Sequence, residues 1–151
     1  MYPSIASSLD SGDSHTFPYP SLMDMIRLKP LSETMVFWLY DDLSDAIGEE
    51  NCRGCFFMHN VYYNESSDRF ELHCSPVRGG SLLIDIQNIA RIVLASTLSL
   101  QQYFDFQLSA CSLANIPSDY TRSIVRELLF EKNEQIVYKN FRHYYQYNAI
   151  Q

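Results

Sequence analysis

Apolar residues recur along this chain with two periods, one helical and one alternating. From Ser32 onward, Met35, Leu39, Leu43, Ala46 and Ile47 keep helical spacing and predict a helix from Ser32 to Ile47. Pro30 precedes it, Ser32 has N-cap chemistry, Glu33 suits the positive end of the helix dipole, and Gly48 supplies the stop. Phe37, Trp38 and Tyr40 fall off that stripe, so this helix needs a second cover, from the chain itself or from a partner. Next, "CFFMHNVYY" and "RFELHC" read as two strands, and "NESSD" between them has the residues of a hairpin loop. Alternation puts Phe70, Leu72 and Cys74 on one face of the second strand and Glu71 and His73 on the other. Cys74 is therefore expected in the core with His73 opposite, and the adjacent pair is not expected to chelate one metal.

Beyond Gly79-Gly80, helical spacing resumes at Ile86, Ile89, Ala90, Val93 and Thr97, with Asp85 as a candidate cap. Leu82, Ile84 and Ile86 also alternate, as in a short strand. "YFDFQLSA" alternates through Phe104, Phe106, Leu108 and Ala110 and predicts a strand. Pro117-Ser118-Asp119 opens a helix whose stripe is Tyr120, Ile124, Val125, Leu128 and Leu129, and "QIVYKNF" reads as a last strand. This order predicts a single α+β domain over residues 21–151, with helices packed on a mixed or antiparallel sheet of about four strands. Residues 1–20, rich in Ser, Pro, Asp and Gly, read as a flexible leader. No internal repeat is present.

Composition narrows the function classes. The 151 residues suffice for one cored domain, and 46% hydrophobic with 14% aromatic residues is not a disordered composition. The net charge of -7 disfavours nonspecific binding to phosphate backbones. The N-terminus has no signal-peptide pattern, and no apolar run approaches the roughly 18 residues of a bilayer span. A reducing, intracellular setting is therefore expected, in which cysteines are free thiols or metal ligands. The Asn64-Glu65-Ser66 sequon reads as turn chemistry in that setting.

The chemistry-bearing residues are few. Cys52-x-x-Cys55, with His59 and His73, supplies a candidate zinc set; the alternative is a pair of plain thiols at a strand start. No nucleophile elbow, P-loop, dinucleotide fingerprint or HExxH occurs, so no catalytic residue is assigned and the protein is not expected to be an enzyme. In "YKNFRHYYQY", Lys139, Arg142 and His143 interleave with aromatics, as in single-stranded nucleic-acid binders; the alternative is an aromatic strand packed on the sheet. Asp41, Asp42, Asp45, Glu49 and Glu50 crowd the end of the first helix, where the dipole disfavours them, which hints at a basic partner.

Several stretches together resemble the adenovirus early-region-four thirty-four-kilodalton protein family. Glu71-Leu72-His73-Cys74-Ser75-Pro76 followed by Gly80-Ser81-Leu82 looks like the family's Leu-His-Cys and Ser-Pro-Gly-Ser-Leu. "MDMIRLKPLSETM" is similar to the segment entering its first helix, and "NIPSDYTRSIVRELLFEKNEQIVY" to its Asn-x-Pro helix and the Ile-Tyr strand after it. The resemblance covers residues 23–145. The chain departs from it in being shorter, in lacking an Arg-rich amphipathic helix near the C-terminus, and in having fewer Cys and His residues. The resemblance implies a non-catalytic viral early protein of the host nucleus and cytoplasm. Such a protein binds host proteins, acts as a substrate adaptor that recruits a cullin ubiquitin ligase through elongins, and pairs with a second viral early protein. Pro30-Leu31-x-x-x-Met35-x-x-x-Leu39 resembles an elongin-binding box with Met in place of Cys, although the same spacing describes a core helix. The candidate protein-binding residues are thus Leu31, Met35, Phe37, Trp38, Leu39 and Tyr40. The alternative function is single-stranded nucleic-acid binding.

Overall fold

A computed structural model describes residues 18–74, 80–98 and 113–150. Its elements in chain order are α1 (Leu22–Leu28), α2 (Glu33–Ala46), β1 (Val61–Asn64), β2 (Arg69–Leu72), α3 (Leu82–Thr97), α4 (Asp119–Leu129) and α5 (Glu134–Ile150). Short 3-10 turns at Glu50–Cys52 and Met58–Asn60 lie between α2 and β1. The class is α+β, but among the described residues the sheet has two strands, not four.

The most apolar helix is the centre of the fold. In α3, Ile86, Ile89, Ala90, Ile92, Val93, Leu94 and Ala95 are all fully buried. A helix apolar on every side must be surrounded, and α3 is packed against α2, α4 and α5. The opposite side of α2 carries the hairpin through β2, and α1 packs on β1. Two helices begin where the sequence predicts. Ser32 accepts a hydrogen bond from the Met35 amide (3.2 Å) and Ser118 from that of Thr121 (3.2 Å). The α3 cap is Ser81, which accepts from Ile84 (3.4 Å), and not Asp85.

Asp85 does a different job. It is buried, and its carboxylate accepts from the Gly54 amide at 3.1 and 3.2 Å while the Arg53 guanidinium lies 3.4 Å away. This ties the segment after α2 to the first turn of α3. Gly54 has φ 83°, a left-handed value suited to glycine. A Cβ on Gly80 would come within 2.8 Å of the Gly54 nitrogen, so backbone meets backbone there.

The hairpin is antiparallel, with Tyr62 opposite Glu71 and Tyr63 opposite Phe70. Its turn uses the expected "NESSD": Asn64 Oδ1 accepts from the Ser66 amide (3.0 Å), and Asp68 takes φ 55°. The strand predicted from Cys55 is shorter than expected, because Met58–Asn60 forms a 3-10 turn and pairing begins at Val61. "QIVYKNF" is not a strand; it lies inside α5. Asn133 Oδ1 accepts from the amides of Gln135 (3.0 Å) and Ile136 (3.2 Å), and Val137 and Tyr144, one face of two helical turns, enter the core. The strand predicted at Phe104–Ala110 and the leader up to residue 17 lie outside the described residues. Pro20, inside the predicted leader, is buried, and its carbonyl accepts from the Tyr63 amide at 2.9 Å. Among the described residues no helix is long and apolar enough to cross a membrane.

α1 has no counterpart among the expected elements, although Ser21 caps it by accepting from Asp24 (3.1 Å) and Asp24 pairs with Arg27 (2.7 Å). Lys29, before Pro30, is extended at φ -169° and ends the helix, as a residue preceding proline should.

The cysteines depart from expectation. Buried Cys55 and exposed Cys74 form a disulfide, with Cα atoms 6.1 Å apart. The alternation that placed Cys74 in the core stops with the strand at Leu72, so Cys74 reaches the core only through its sulfur. Glu71 and His73 do share a face, joined by a 2.9 Å hydrogen bond. The bridge closes a loop with a sequence separation of 19 that contains the whole hairpin. In the chain-entropy account such a loop contributes about 3 kcal/mol. Cys74→Ser is therefore expected to cost about that much in urea unfolding, and reductant should bring the parent down to the same midpoint while leaving the variant unmoved. A parent indifferent to reductant would contradict this.

Candidate functional site

The six candidate protein-binding residues divide by what already covers them. Leu39 and Tyr40 are fully buried and belong to the core, so they are closed to a partner. Tyr40 meets Tyr144 edge-on (6.5 Å between centroids), Tyr144 meets Tyr120 (6.0 Å), and Tyr120 meets Phe37 (5.7 Å). This row of rings cements α2 to α4 and α5 and leaves Phe37 half-buried. The true core stripe of α2 is Val36, Leu39, Tyr40 and Leu43, one position over from the predicted start at Met35. Leu31, Met35 and Trp38 retain exposed surface, Trp38 at 39%.

They retain it at two separate places. The first lies where α1 meets α2. Met25, Leu28, Pro30, Leu31 and Met35, with Lys29 and Ser32, line a hollow of about 440 Å³. Leu28 stands on its rim, 79% exposed, the most exposed large apolar side chain among the described residues. The Leu31 amide is tethered to the Ser96 carbonyl of α3 at 2.8 Å, which holds the α1–α2 link against the core.

The second place is acidic. Trp38, Asp41, Asp42, Asp45, Asp68 and Arg69 line a depression of about 360 Å³ between α2 and the hairpin turn. Asp42, buried, accepts from Arg69 Nε at 2.7 Å and from the Phe70 amide at 2.8 Å, so both of its oxygens are held. Asp45 lies 3.8 Å from the same guanidinium, and Tyr63 donates its hydroxyl to Asp68 at 2.8 Å. Burial, then the charges of Asp45 and Asp42, raise the Asp41 pKa above the ordinary carboxyl value, with Arg69 opposing. Asp41, Asp42 and Asp45 are the only group of three or more metal-ligand side chains that lie together among the described residues.

The candidate zinc residues do not assemble. Cys55 is bonded to Cys74. Cys52 keeps its thiol, beside Glu49, and burial followed by that carboxylate pushes its pKa up, away from the thiolate that metals prefer. His59 stacks on Phe57, and His73 binds Glu71. Asparagine 64 and then His73 lower the Glu71 pKa, which makes that carboxylate a partner of the hairpin. These residues do not form a tetrahedral donor set in the disulfide-bonded chain.

The aromatic-basic stretch is likewise divided. Lys139, Arg142 and His143 are exposed on α5, whereas Tyr144 is buried and Tyr138 and Phe141 pack on the core. Of the rings in this stretch whose side chains are described, Tyr138, Phe141 and Tyr144 are turned toward the core. Comparison with protein-family models, with curated proteins and with solved structures gives no match.

Sequence reading missed Met25 and Leu28, because α1 was not recognised; the Ser21-x-x-Asp24 pattern is the signal that marks it. It also missed Asp68 and Arg69, which only the hairpin brings to α2.

Two outcomes follow for stability. Tyr40→Ala should cost about 3–5 kcal/mol by leaving a core cavity, while Trp38→Ala should cost only about 1 kcal/mol, as read from urea midpoints. Asp41 holds its proton more tightly in the fold than in the unfolded chain, so the folded state binds more protons just above the ordinary Asp range. Stability should therefore rise as pH falls from neutral into that range. Burial raises the Asp42 and Asp85 pKa values in the same direction, so Asp41→Asn should reduce this rise without removing it, and should stabilise the neutral protein by roughly 0.5 kcal/mol, small because the side chain is only partly buried and is screened. Thermal melts at low salt and two pH values check both statements.

Proposed function

We propose that this chain is a non-catalytic binding domain, and that its primary docking surface is the hollow between α1 and α2. One observation supports this above the rest: Leu28 is held almost fully in water at the edge of an apolar hollow whose walls are anchored to the core. A long aliphatic side chain in that position gains by burial, at about 25 cal/mol per Å² of apolar surface covered. The partner is an apolar segment of another protein. The resemblance to the adenoviral family makes it the elongin component of a cullin ubiquitin ligase, with the chain acting as substrate adaptor. In this reading Leu31 and Met35 touch the partner and Leu39, the third position of the box, supports them from the core.

Leu28→Asp is the direct test. Leu28 has little burial to lose, so the melting temperature should stay close to the parent's, while binding of purified elongin complex, measured by titration calorimetry, should weaken by at least about tenfold (roughly 1.4 kcal/mol). Met35→Asp should do the same. Absence of any binding by the parent chain, or equal binding by both variants, would refute the proposed surface.

A further inference from the structure

We infer that the depression around Trp38 is a second docking surface, and that it takes an arginine side chain of a basic partner segment. The geometry is that of a guanidinium site. An exposed indole forms one wall, and the carboxylates of Asp41, Asp45 and Asp68 line the rest beside the Asp42–Arg69 pair. Arginine stacks on aromatic faces and offers a planar fork of donors to carboxylates, which a compact ammonium does not.

The chain's own Arg69 shows the chemistry at work on one side of the depression. Its guanidinium is 2.7 Å from Asp42 and 3.8 Å from Asp45. Among the described residues Arg69 is the one cation lining the depression; its guanidinium pairs with Asp42 and Asp45, and Asp41 and Asp68 lie outside those two pairs. Two of the carboxylates are held in place rather than swinging free. Asp42 is fixed by the Phe70 amide, and Asp68 by a left-handed backbone and the Tyr63 hydroxyl. Asp41, Asp42 and Asp45 lie, moreover, toward the C-terminal end of α2, which has no basic residue in its last turn, so the helix dipole adds to the excess of negative potential.

Charge also points toward a foreign occupant. Residues 1–17 and 99–112 contain no Lys or Arg and carry Asp10, Asp13 and Asp105. Arg78 is the one fixed cation within 75–79. A second copy, at net charge -7, is repelled as a whole. A basic segment of another protein is attracted to this face and can place a guanidinium between Trp38 and the carboxylates.

Trp38 is the sole tryptophan of the chain, so its emission reports on this site alone. The full chain is titrated with a peptide of alternating glycine and arginine, and with its glutamine and lysine counterparts. The arginine peptide should shift the emission saturably, bind more tightly than the lysine peptide, and weaken as salt is raised; the glutamine peptide should do nothing. Asp45→Asn combined with Asp68→Asn should weaken binding by about tenfold or more. Both side chains are exposed and asparagine tolerates the φ of residue 68, so the variant should melt like the parent. Leu28→Asp should bind the peptide unchanged, which separates this surface from the apolar hollow. The inference is overturned by no saturable shift, by equal shifts with the glutamine peptide, or by equal affinity in the double variant. It is also overturned if Arg78→Gln raises the affinity tenfold, which would make Arg78 the native occupant. A calcium-induced shift with none from the peptide would instead make the cluster a metal site.

Discussion

The buried carboxylate of Asp42 is the joint on which the rest of the architecture turns. It sits on α2, yet its two oxygens are taken by β2, one by the Arg69 side chain and one by the Phe70 amide. Burying a carboxylate is costly, and although both oxygens are held here, burial outweighs the Phe70 and Arg69 contacts and keeps the Asp42 pKa above the ordinary carboxyl value. The pair sets the hairpin's height along α2. Phe70 then points into the core beside Leu43, and Arg69 and Asp68 are delivered to the outer edge of α2. Without this joint the two-stranded sheet, too small to be stable alone, would have no defined seat.

A second carboxylate repeats the device at the other end. Asp85 gathers the Gly54 amide and the Arg53 side chain, so the segment between α2 and β1 is pinned to the first turn of α3. The Cys55–Cys74 bridge closes the same region from the hairpin side. Both ends of the hairpin are thereby fixed relative to the helices, and the close approach of Gly80 to Gly54 completes the joint. Apolar packing around α3 supplies the bulk of the stability, but these polar contacts decide which surfaces stay outside.

What remains outside is informative because so much is inside. The chain is rich in large apolar residues, and the rings of Phe37, Tyr120, Tyr144 and Tyr40 show how it stows them, edge against edge between helices. Leu28 and Trp38 escape that arrangement at two different ends of α2's surroundings, one beside aliphatic walls and one beside carboxylates. Two exposed surfaces of unlike chemistry thus lie on the described residues of one small domain.

The sequence by itself determined what is local. Ser32 and Ser118 as caps, "NESSD" as a turn, Gly48 as a stop and the stripe Ile124, Val125, Leu128 all follow from hydrogen bonds and spacings within a few residues, and each was legible. The spacing of Ile86, Ile89, Ala90 and Val93 marked α3 in the same way, although Leu82, Ile84 and Ile86 also alternate as in a strand. "QIVYKNF" was misread as a strand, because seven residues satisfy either period. The groove of α3 and α4 settled it by receiving Val137 and Tyr144 on one helical face. The exposure of Trp38 against the burial of Tyr40, the union of Asp42 with Arg69 across 27 positions, and the pairing of Cys55 with Cys74 in place of Cys52 were likewise decided by tertiary structure. Each depends on which distant element arrives beside the residue. Local spacing carries no information about that arrival; the packing of the whole core does.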